Sequence, residues 1–219
     1  SAASDVYKRQ ELMLEKTTIT KYDKEIKKFF SCFDLPSLMS WKVPNKILLF
    51  LLVIFFVPLF SEEMIIGKKT IQPGIEFVFE GAPKDIIFPK NLHLSEKDTD
   101  IHIEMLAHWT EDNIASAPAK SFVAYLNVSA EIKSKSGYSK KIKLTPHLNI
   151  IDNLHYAQNV KLPGRIDDLY DITFTISPPK KEDLGIHFDW NSKFGGLMKK
   201  TSFTFRNLDF EKIALKSRR

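Results

Sequence analysis

The chain is short of the residues that many chemistries require. Its 219 residues include one cysteine, Cys32, and only eight glycines. A lone thiol closes no internal disulfide, and because it precedes residue 61, everything after that point lacks thiolate metal ligands and cysteine nucleophiles. Blue-copper centres of the His2Cys type are excluded with them. Neither Gly-x-Ser-x-Gly nor His-Glu-x-x-His occurs, and no Gly-x-Gly loop is available to cradle a phosphate, so the sequence predicts no enzyme of those classes. An excess of one charge is also missing. Lys and Arg number 32 against 27 Asp and Glu, a net charge of +5, and beyond residue 61 the counts are 23 and 21. Nucleic acid needs a concentrated basic face, so it is not expected as a partner.

Long apolar runs are lacking except at Ile47–Phe60, ILLFLLVIFFVPLF. This run is shorter than the ~20 residues a helix needs to span a bilayer, and Pro58 would break its last turn. Lys42 and Lys46 before it and Ser61 after it give the basic, apolar and small-residue order of a secretory signal peptide. A short uncleaved anchor is the alternative. The sequence starts with Ser1, and Met39 precedes the basic segment, so residues 1–38 are expected to be a non-native or upstream-translated leader and 39–61 the signal peptide. Export to the periplasm, or otherwise out of the cytoplasm, follows as the expectation. Cleavage after Ser61 would leave 219 − 61 = 158 residues, enough to bury a core without disulfides.

The remaining chain alternates with period two. Strands are predicted at Ile75–Glu80, Asp100–Trp109, Phe122–Ile132, Lys140–His147, His155–Leu162, Leu169–Ser177 and Lys200–Asn207, separated by Gly-, Pro- and Asp-rich turns. The expected fold is all-β: one immunoglobulin-like antiparallel β-sandwich at 75–210, after a linker at 62–74 and before a basic tail at 211–219. Asp168-Leu169-Tyr170 leading into a central strand has the context of a tyrosine corner.

All six histidines follow residue 61: His93, His102, His108, His147, His155 and His187. Neutral imidazole is the commonest protein ligand for transition metals, and any one of these alone reads as a surface or core residue. Spacing separates them. In DIHIEMLAHW, Ile101, Ile103, Met105, Ala107 and Trp109 form a core face, which puts His102 and Glu104 together on the other face, ~6.6 Å apart along the strand. His108 lies about 20 Å from His102 by the same rise, and is structural or part of a second site. In TPHLNIIDNLHYAQNV, His147 closes one strand and His155 opens the next, so a hairpin brings both to one end of the sheet. His187 sits in the loop sequence EDLGIHFDWNSKFGG.

The ordered series DIHIEMLAH, FVAYLNVSAEI, LTPHLNIIDNLHYAQNV, LYDITFTISPP and GIHFDW, from about Ile75 to Phe210, resembles the Tpd-type periplasmic iron-uptake proteins. The resemblance implies a homodimeric sandwich that binds copper or iron, with zinc or manganese also suited to the ligands, and serves a high-affinity membrane iron permease. It implies metal ligands at His102, Glu104, His155 and His187. His147 stands where the family commonly carries Met. Imidazole suits Cu(II), Zn(II) and Fe(II), whereas a thioether favours Cu(I). The competing expectation is a noncatalytic interaction or adhesion module with incidental histidines, whose melting temperature would not respond to metal.

Overall fold

The computed structural model describes residues 63–217. The expected leader, signal peptide and cleavage point lie outside the described residues. In chain order the strands are β1 (Met64–Ile71), β2 (Ile75–Ala82), β3 (Ile101–Trp109), β4 (Asn127–Ser134), β5 (Ser139–Asn149), β6 (Asn153–Val160), β7 (Leu169–Ser177) and β8 (Thr201–Asp209). Two short helices, α1 (Phe188–Phe194) and α2 (Glu211–Ala214), flank β8. Among the described residues no helix is long and apolar enough to cross a membrane.

Every strand pairing is antiparallel, in the order β1-β2-β3-β6-β5-β4-β7-β8. The long β5 joins two layers: Ser139–Leu144 pair with β4, and Thr145–Asn149 pair with β6. Beyond Leu144 one side of β5 has left β4, and Pro146, which has no N–H to donate, falls on that open edge. The two layers meet face to face, as the predicted all-β sandwich requires. Phe77 and Phe79 of β2 pack against Phe203 and Phe205 of β8 and Phe174 of β7, the closest ring centroids being 4.5 Å apart. Alternation places Ile172, Phe174 and Ile176 on the same inner face of β7, all fully buried. At the corner before β7, the Tyr170 hydroxyl donates to the Arg165 carbonyl at 2.6 Å, so the tyrosine corner forms. Burial pushes the Tyr170 phenol up to about 12.

The structure departs from the predicted elements in three places. The stretch expected as a linker carries β1, an edge strand in which Gly67 and Lys68-Lys69 interrupt the apolar pattern and only Ile66 is buried. Gly67 is required there, because a Cβ would collide with the Phe205 ring of β8. The strand expected from Phe122 starts at Asn127, because Tyr125 turns the chain with φ of 64°. The expected basic tail opens with α2, whose Ile213 and Ala214 are buried.

A fourth feature shapes the molecule more. Residues 83–99, between β2 and β3, fold back as a strap over the outer face of β3. Ile101 to Met105 are therefore buried on both faces.

Candidate metal centre beneath the strap

β3, β5 and β6 supply the centre, and their register explains its composition. His102 pairs with Asn159, Glu104 with Ala157, and His147 with His155. The strap closes over this face and leaves a cleft of about 740 Å3 lined by His93, His102, His147 and His155.

His102 is 3% exposed and Glu104 fully buried. The Asn159 amide donates to the strap carbonyls of Asp85 and Leu94, each at 2.9 Å, which turns its Oδ1 toward His102 Nδ1 at 2.8 Å. His102 must therefore donate from Nδ1, and its Nε2 electron pair faces Glu104 Oε1 across 3.4 Å. Two acceptors in that position are stabilised by a cation, either a proton or a metal ion.

His155 is set up in the same way. Its Nδ1 donates to the Asn153 carbonyl at 3.0 Å, leaving Nε2 as an electron-pair donor. His147 has Nε2 3.1 Å from the Thr145 hydroxyl. Its ring is 5.5 Å from that of His102 and 6.0 Å from that of His155. One ring nitrogen from each of the three histidines falls within 4.8 Å of the others. Burial, reinforced by His93 and His155, pushes His147 down to about 4, so it is held in the neutral form that binds metal.

The strap adds His93, whose Nδ1 donates to Gln158 Oε1 at 3.1 Å and whose ring stands edge-on to His147 at 4.9 Å. A second group adjoins the first through Glu104: carboxylate oxygens of Glu63, Glu80 and Glu104 also lie within 4.8 Å of one another. Burial pushes the Glu80 carboxyl up to about 7, with the charges of Glu63 and Asp152 adding to the effect.

Of the five sequence-derived candidates, the structure brings together His102, Glu104, His147 and His155. His187 is elsewhere: it precedes α1 and lines a separate recess with Leu184, Trp190 and Leu197. His108 is also apart, 3.5 Å from Glu76 of β2 in a cross-strand pair. Met105 is buried packing, and Met198 is buried in the core as well. Sequence reasoning missed Asn159, Glu80 and Glu63, and left the role of His93 open. Asn159 and Glu80 carried a signal, since each falls on the site face of its strand by period two. His93 and Glu63 lie outside any periodic run.

A β-sandwich that gathers neutral imidazoles and a buried carboxylate beneath a covering strap defines a metal-binding protein of the sandwich class. The chain belongs to the Fe2+ transport protein family, whose model matches residues 60–212. It is 28% identical over 139 residues to UPF0423 proteins of Brucella abortus and Brucella suis, covering 62% of this chain and 75% of theirs. Among solved structures it is similar to a copper-bound variant of Campylobacter jejuni P19, with TM-score 0.58, 25% identity, and coverage of 67% of this chain and 96% of that one. A copper-bound variant of uropathogenic Escherichia coli FetP shares the fold, with TM-score 0.56, 21% identity, and coverage of 66% and 95%.

Proposed function

We propose that this protein is an exported carrier that captures copper and ferrous iron in the cleft beneath the strap and hands iron to a membrane permease. The observation that carries this reading is the convergence of His102, His147 and His155 ring nitrogens within 4.8 Å, next to a buried carboxylate. Three imidazoles match a borderline metal such as Cu(II) or Fe(II), and Glu104 adds the negative charge that a dication needs. The family membership supports iron as cargo. The copper in the P19 and FetP structures supports copper as an occupant. FetP has also been isolated after expression in the periplasm, in keeping with export.

The family resemblance carries two further points, a homodimer and His187 as a ligand. Since His187 lies outside the cluster in one chain, a ligand role for it requires a second copy to present it. The exposed Phe88, Leu92 and Leu148 at the cleft mouth offer that copy an apolar surface.

The test is metal content. Protein dialysed against copper should retain it, and a His102→Ala/His155→Ala variant should lose it while keeping its β-sheet circular dichroism. Equal copper in both proteins would overturn the site assignment.

A further inference from the structure

We infer that His93 and His147 form an outer, two-imidazole station at the mouth of the cleft, which takes a borderline divalent metal from solution and passes it to the inner histidines. The inference rests on the carrier reading and gives a role to His93, which stands outside the inner group.

Burial divides the four imidazoles by depth. His102 is 3% exposed and His155 1%, whereas His93 and His147 are only partly buried. They share the cleft with Phe88, Leu92 and Leu148, all strongly exposed. An ion arriving from solution therefore meets His93 and His147 before the inner pair.

His93 is held in a metal-binding form. Gln158 Oε1 accepts the Asn159 backbone N–H at 3.1 Å and has no proton to offer, so His93 Nδ1 must donate to it, also at 3.1 Å. The electron pair of His93 is then on Nε2. His155 reaches the same state through the Asn153 carbonyl, and a hydrogen bond from the second ring nitrogen is the usual support of a metal-binding histidine. The backbone is held as well, since the carbonyl of the next residue, Leu94, accepts from the Asn159 amide at 2.9 Å.

The spacing of the rings permits transfer. An ion ~2.0–2.1 Å from each coordinating nitrogen brings two imidazole centres to within about 6 Å of each other. The His93 and His147 rings lie 4.9 Å apart, and His147 lies 5.5 Å from His102 and 6.0 Å from His155. His147 thus belongs to both positions. With His147 as the pivot, the ion exchanges His93 for His102 and His155 one ligand at a time, and never enters the cleft without a partner for its charge. The inner position adds a third nitrogen and the Glu104 carboxylate, which hold the ion more tightly and give the transfer its direction.

The test uses metal-free protein and Cu2+, with uptake followed by stopped-flow absorption of the copper–imidazole charge-transfer band and release followed after adding a chelator. His93→Ala and His93→Gln should both slow uptake and release by about tenfold, with copper content and equilibrium affinity as in the wild type, because a station occupied in passing alters both directions alike. His93→Gln retains an amide that can hydrogen-bond to Gln158, so it keeps the strap fastened while removing the imidazole. A wild-type uptake rate in His93→Gln would overturn the inference. So would faster release with lowered affinity, which would make His93 a ligand of the inner position instead. Failure of the wild type to take up copper would overturn the carrier reading itself.

Discussion

Asn159 fixes which nitrogen of His102 is available. By donating to Asp85 and Leu94 and accepting from His102 Nδ1, it locks the imidazole tautomer and ties the strap to β6. Outer partners of this kind typically control metal affinity by about 10–100-fold. Asn159→Leu should therefore weaken copper binding by about that factor, measured by competition with a chelator, without removing any ligand; unchanged affinity would show that the amide only holds the strap. That His102 and Glu104 share one face was legible in the sequence, because His102-x-Glu104 on a strand with an apolar opposite face can point only one way. Asn159 was not, since its role depends on β6 lying against β3, and no local pattern encodes that pairing. His93 was equally hidden, arriving on a strap with no periodicity.

At the scale of elements, the β5–β6 hairpin makes His147 and His155 face each other in a half-buried cleft beneath the strap. The consequence is a pH dependence with a definite sign. His147 is lowered in the folded protein from 6.5 to about 4, so the unfolded chain takes up its proton first as pH falls. Its contribution to stability is full above pH 6.5 and lost as the pH drops to about 4. The urea midpoint of metal-free protein should fall across that window, and His147→Met should fall less; parallel curves would contradict the assignment. The hairpin itself was readable from two alternating runs around a short polar turn. β1 was not, because an edge strand with one buried side chain leaves little apolar signal. The strap was missed for a different reason: it is fastened to β6 by the Asp85 and Leu94 carbonyls and by His93, contacts that a pattern of alternating residues does not record.

The whole molecule reads as a sandwich built to hold one decorated face of β2, β3, β6 and β5 beneath a cover. Its opposite faces pack the Phe77, Phe79, Phe174 and Phe205 core, which fixes the strands rigidly enough to hold the imidazoles within bonding reach of a common point. The fold class was legible at this scale because turn residues punctuate the strands at regular intervals. The cleft was not, because it arises only when the strap meets three strands from distant parts of the chain. The most direct test of the account is a crystal of copper-soaked protein with data collected on both sides of the copper absorption edge. A strong anomalous peak bonded to ring nitrogens of His102, His147 and His155 is the predicted result; a peak elsewhere, or none in the cleft beneath the strap, would contradict it.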